Sequence, residues 1–184
     1  EFDQIFMRLK SNDESQDLEA KESFFVDTRV LKSNGTIQTN DSMTDKIIQT
    51  VVAFMNQREG GDLLIGIHEN KEKKEFDIVG VQDTDLKKYI TTEKYKNAIN
   101  QKLSSTIERS GKTPKLNIIN YEGKTLLHIK VNSLPKDRFQ NRELVSIKGD
   151  CYCRKGDNTL KISASEINDF CRNVLDGFKD DDEE

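Results

Sequence analysis

Tryptophan is absent from this 184-residue chain, and histidine and proline occur only twice each. The three cysteines, Cys151, Cys153 and Cys171, are too few and too odd in number for a disulfide framework, which fits a reducing compartment. So little histidine makes a zinc site a poor reading, and Cys151 and Cys153, which alternate along a predicted strand, are expected to be small core residues. No apolar run approaches the ~20 residues of a membrane span. The N-terminal residues lack the apolar stretch of a secretory signal. An intracellular location, cytoplasmic or nuclear, with no membrane contact, is therefore expected. Walker A loops, dinucleotide fingerprints and nucleophile elbows are also missing, which argues against ATPase, dehydrogenase and serine-hydrolase chemistry.

What is present is charge and clustered apolar residues. Hydrophobic and charged residues each make up 34% of the chain, and the net charge is −4. The charge is uneven. Residues 1–22 hold seven acids against three bases, and residues 179–184 hold five acids against one base, which leaves residues 23–178 at +4. A mildly basic body between acidic ends permits a polyanionic partner without requiring one. The chain divides into a polar extension (1–17), one domain (18–178) and an acidic tail (179–184).

Periodicity supplies the elements. Ile5, Phe6 and Leu9 suit one helical turn. Residues 23–31 read as a strand, because Phe24, Phe25, Val26 and Val30 are β-prone. Residues 45–57 form the clearest helix, with Ile47, Ile48, Val51, Val52, Phe54 and Met55 on one face. Thr44 is its expected cap, and Gly60-Gly61 its expected end. A buried strand follows at 62–67, then a polar loop at 69–75 and a short strand at 76–81. Helices are predicted over 92–107 and 163–178, the latter opened by a Ser163/Glu166 capping box. Strands are predicted over 115–121 and 125–132, joined by a Glu122-Gly123-Lys124 turn, and a second hairpin pairs 144–147 with 151–154. This order predicts an α+β fold with a mixed or antiparallel sheet flanked by helices.

Four segments carry a family resemblance. Residues 51–66 read VVAFMNQREGGDLLIG, a Val/Ala/Phe-rich helix that breaks at paired glycines and runs into a Leu-Leu-Ile-Gly strand. Upstream stands Glu22-Ser23-Phe24-Phe25-Val26-Asp27-Thr28-Arg29. Downstream come Ile78-Val79-Gly80-Val81 and Tyr152-Cys153-Arg154-Lys155-Gly156-Asp157-Asn158-Thr159. In this order they resemble the AFAN–GG–LxIG, ES-x-x-x-EFK, IVGV and Y-x-R-x-G-x-x-T elements of the Schlafen AlbA_2 family.

The resemblance implies a domain that handles nucleic acid. RNA-cutting Schlafen proteins carry three acids, which fall here on Glu22, Asp27 and Glu69. Asp27 stands where the family usually has Glu, and His68-Glu69 where it has an acidic pair. Three carboxylates holding Mg²⁺ or Mn²⁺ would activate water and neutralise the charge that develops on phosphate. His68 is a further candidate for metal binding or proton relay. Arg29, Lys71, Lys73, Lys74, Arg154 and Lys155 are the candidate contacts to nucleic acid. The resemblance also implies a homodimer or a second Schlafen-like subunit. Two readings stay open. One is a metal-dependent endoribonuclease acting on structured RNA, a tRNA or a precursor. The other is a non-catalytic RNA- or DNA-binding module or dimerisation scaffold.

Overall fold

A computed structural model describes residues 2–11, 16–70, 72–73, 75–109 and 112–180. Its centre is a four-stranded sheet of order β1-β2-β6-β5, built from β1 (Leu18–Lys21), β2 (Gly61–Ile65), β5 (Lys115–Tyr121) and β6 (Lys124–Val131). The first two strands run parallel and the other pairings are antiparallel, so the mixed α+β architecture expected from the sequence is the one observed. Strand alternation divides the sheet into two faces. Leu63, Ile65, Leu127 and Ile129 enter the larger core, with helices α3 (Asp41–Met55) and α5 (Thr92–Thr106). Leu64 and Leu126 enter a smaller core closed by α1 (Phe2–Lys10). Residues 2–10 are therefore more than a polar extension, because Ile5, Phe6 and Leu9 are buried against the sheet.

The apolar stripe of α3 runs almost all the way round, and the helix is correspondingly central. One side meets the sheet. The other carries a three-stranded sheet of β7 (Ser146–Ile147), β8 (Asp150–Lys155) and β9 (Asn158–Ile162). A ribbon of β3 (Ile67–Asn70) and β4 (Glu75–Ile78) extends from the end of β2. Short helices α4 (Asp85–Tyr89) and α6 (Lys136–Gln140) occupy connections, and α7 (Ile167–Asp180) packs against α6. The predicted Ser163/Glu166 box is present, with Ser163 donating to the Glu166 carboxylate from both its backbone N–H and its hydroxyl.

The largest departure from the sequence reading is at 23–31. Instead of a strand, residues 23–26 are irregular and Thr28–Asn34 form helix α2. Asp27 overrides the β-prone side chains by capping this helix: its Oδ1 accepts from the N–H groups of Arg29 and Val30. Likewise α3 starts earlier than its apolar stripe, because Asn40 rather than Thr44 is the cap. The paired glycines lie beyond its end and serve close packing. A Cβ on Gly61 would enter the Phe54 ring, and one on Gly60 would strike the Val131 carbonyl.

Candidate nucleic-acid interface

The corner that holds Glu22 and Asp27 is shaped by a residue the sequence reading passed over. Asp85, at the start of α4, is fully buried. Its carboxylate accepts from the Ser23 hydroxyl (2.7 Å), from the backbone N–H groups of Phe24 (2.8 Å), Phe25 (3.1 Å) and Val26 (3.1 Å), and from the Tyr95 hydroxyl (2.7 Å). These donors limit the β pairing of residues 23–26 to a single bridge between Val26 and Thr39. Burial pushes the Tyr95 phenol well above its usual pKa, and the neighbouring Asp85 adds to the effect, so Tyr95 remains a donor. No local sequence signal marks Asp85, because its partners in residues 23–26 lie about 60 residues upstream.

Glu22 follows β1 and is pinned on both oxygens. Lys32 Nζ lies 2.7 Å from Oε1, and His68 Nδ1 lies 3.0 Å from Oε2. Asp27 spends one oxygen on the α2 cap and takes Asn40 Nδ2 on the other at 2.7 Å. The Asn40 hydrogen bond, with the two backbone donors and Arg29, holds the Asp27 carboxyl below its ordinary pKa. Glu22 and Asp27 thus share one corner through α2, which Asp27 caps and from whose last turn Lys32 reaches back. Glu69 does not join them. It neighbours His68 on β3, and neighbouring residues of a strand project to opposite faces. Because His68 faces Glu22, Glu69 faces away.

A hard divalent cation needs several oxygens converging at roughly 2.0–2.6 Å. The carboxylates of Glu22, Asp27 and Glu69 are not arranged to supply them, and among the described residues no group of three or more His, Cys, Asp and Glu is placed to hold a metal ion. The expected three-carboxylate site therefore does not fit Mg²⁺ or Mn²⁺.

The basic candidates separate. Arg154 is not at the surface: its guanidinium pairs with Glu19 at 2.9 Å, donates to Thr159 Oγ1 at 3.1 Å and lies 5.3 Å from the centre of the Phe54 ring. A candidate nucleic-acid contact by sequence, the residue is instead an internal tie between β8, α3 and β1. Arg29, Lys73 and Lys155 are exposed. Lys71 and Lys74 lie outside the described residues. At the corner, each cation stands over a more deeply set acid. Side-chain exposures are 88% for Arg29 against 13% for Asp27, and 58% for Lys32 against 16% for Glu22. Lys21, at 39%, stands over Glu19 at 9%.

On the far face of the sheet, Asp62 is buried between His128 Nε2 (2.7 Å) and Lys130 Nζ (3.2 Å). Burial works to raise its pKa, but the His128 hydrogen bond and the Lys130 charge outweigh it and lower the carboxyl.

A model of the family described as Schlafen, AlbA_2 matches residues 14–163. Among solved structures, the chain superposes on the DIP2311 protein of Corynebacterium diphtheriae with a TM-score of 0.56 at 17% identity. That match covers 94% of this chain but 29% of the other. It also superposes on the N-terminal domain of a protein from Nitrosomonas europaea described as related to the ATP-dependent DNA helicase RecG. There the TM-score is 0.53 at 20% identity, over 87% of this chain and 92% of that one. At these identities the likeness is one of fold. Among curated proteins none matches. No helix among the described residues is long and apolar enough to cross a membrane.

Proposed function

The chain belongs to the Schlafen AlbA_2 family, and from that premise we propose that it is a nucleic-acid-binding domain that holds the backbone of an RNA strand against the corner of β1, α2 and β3. The observation that carries this reading is the layering of charge. Guanidinium and ammonium groups face solvent, and the carboxylates that pair with them sit beneath. A polyanion approaching the corner meets Lys21, Arg29 and Lys32 first. Such contacts are strong in low salt and indifferent to base sequence. The solved neighbour whose name relates it to a DNA helicase supports nucleic acid as the partner class.

Of the two readings the sequence left open, binding without metal-dependent cleavage is the one the geometry favours, since Glu69 faces away from Glu22. The test is fluorescence anisotropy of a labelled single-stranded RNA over a salt series, for the wild type and an Arg29→Ala/Lys32→Gln variant. The slope of log affinity against log salt should fall by about 0.7 for each lost phosphate contact. A parallel incubation with Mn²⁺ should leave the RNA intact. Binding indifferent to salt, or unchanged in a variant that melts like the wild type, overturns the reading. Cleavage that needs Mn²⁺ and vanishes in Glu69→Ala restores the nuclease.

A further inference from the structure

A cavity of about 390 Å³ opens between α3, α5 and the β7–β8 hairpin, away from the corner described above. Asp45, Gln49, Lys102, Lys148, Asp150 and Tyr152 line it. Its size falls in the ~300–1,000 Å³ range of small-molecule sites. Tyr152 supplies an aromatic wall, and its hydroxyl has no hydrogen-bond partner among the described residues. Burial raises the pKa of this phenol, and the charges of Asp150 and Asp45 raise it against the opposing effect of Lys161, so both carboxylates are felt at the ring. Asp45 is lightly engaged, with Lys102 Nζ at 3.7 Å and its side chain 54% exposed. Glu108, also at the cavity, is engaged through one oxygen: its Oε2 accepts from the Ser146 hydroxyl and the Gly149 N–H, each at 3.0 Å. It thereby fixes the turn that presents Lys148. That lysine sits at φ 51°, a conformation disfavoured for residues with a Cβ.

These groups are complementary to one chemical class. An aromatic face suits a stacked base, and ammonium groups at the rim suit a phosphate. A carboxylate accepting two hydrogen bonds matches a base edge with two adjacent donors. Guanine alone among the four common bases offers that, through N1–H and the N2 amine. We propose that this cavity is a guanine-nucleotide site. Tyr152 stacks on the base, Asp45 reads its Watson–Crick edge beside Lys102, and Lys148 meets the phosphate. The nucleotide is either free or one unstacked residue of a bound strand. The second form rests on the nucleic-acid reading above.

The experiment titrates the chain with GMP, AMP, CMP and UMP by calorimetry. In parallel, anisotropy compares a labelled oligouridine with the same oligomer carrying one guanosine. Asp45→Asn and Tyr152→Leu should each weaken GMP by about tenfold, the scale of one base-edge or stacking contact. Tyr152→Phe, which keeps the ring, should stay near wild type. GMP preference together with tighter binding of the guanosine-containing oligomer assigns the site to a strand. GMP preference with no oligomer difference assigns it to the free nucleotide. If GMP binds no better than the other three, or the Asp45→Asn and Tyr152→Leu proteins bind it like wild type, the inference fails while salt-dependent RNA binding stands. If RNA binding is absent and GMP binding persists, the corner reading fails and the cavity stands.

Discussion

Arg154→Ala is expected to damage the fold while leaving intrinsic nucleic-acid contacts alone. The Arg154 side chain is 1% exposed and that of its partner Glu19 9%, so truncation leaves a carboxylate with little access to water. Breaking one member of a buried pair costs about 3–5 kcal/mol. Here the lower end applies, because Lys21 also contacts Glu19 and retains part of the neutralisation. The arginine additionally bonds Thr159 and covers the Phe54 ring, and truncation removes both interactions with the ion pair. A loss of about 3 kcal/mol corresponds to a fall of roughly 6–12 °C in Tm for a domain of this size. Glu19→Gln should cost a similar amount by stranding the guanidinium. The Glu19→Gln/Arg154→Ala double variant should cost clearly less than the two single changes together, since no buried charge is then left alone. Urea denaturation of the four proteins measures the cycle. Single effects that add to within about 0.5 kcal/mol refute the pairing. An Arg154→Ala protein with unchanged stability and weakened RNA affinity would return the residue to the binding surface.

Two further outcomes follow from the polar interior. Asp85→Asn removes the charge that gathers four main-chain and hydroxyl donors from residues 23–26. It should cost about 2–3 kcal/mol, with hydrogen exchange at 24–26 rising more than exchange within α3; uniform protection across both would contradict the account. Asp27 and Asp62 both have folded-state pKa values below their ordinary ones. Their contribution is therefore complete above the ordinary carboxylate range and is lost as pH falls through that range into the folded values. Urea midpoints should hold steady above about pH 5 and drop below it, and Asp27→Asn should flatten part of that drop.

The sequence made the elements with a regular stripe legible. Helices α3, α5 and α7 and the β5–β6 hairpin lie within a few residues of their predicted spans. Misreadings cluster where a polar side chain overrides local propensity. Phe24, Phe25 and Val26 look like strand residues, and Asp85 claims their N–H groups from a distant helix. Strand β1 was missed because Leu18, Glu19, Ala20 and Lys21 carry no strand signature of their own. They pair in parallel with β2, a long-range contact that no local pattern announces. At the site, the resemblance grouped Glu22 and Asp27 with Glu69 but did not foresee the commitments of the first two. Those depend on Lys32, His68 and Asn40, none of which is adjacent to the acid it holds.

The matched segment 51–66 meets both 78–81 and 152–159 in space, which bears on how much chemistry the resemblance can carry. Gly66, ending the Leu-Leu-Ile-Gly strand, accepts from the N–H groups of Val79 and Gly80, and a Cβ on Gly66 would lie only 3.0 Å from Gly80 Cα. Asn56, closing the Ala-Phe-Met-Asn helix end, bonds Val145 through both N–H and carbonyl and takes the Tyr152 carbonyl as well. Thr50 meets Thr159 at 3.0 Å, and Arg154 meets Glu19. Each of these contacts ties separate elements together through polar groups. The motif residues named here work mostly as latches of the fold, so a chain can keep them whether or not it cleaves anything. Chemistry must then be read from what the latches leave facing solvent. At the corner that is a set of cations raised above their acids, and on β8 it is Tyr152, whose carbonyl is latched to Asn56 while its ring lines a cavity.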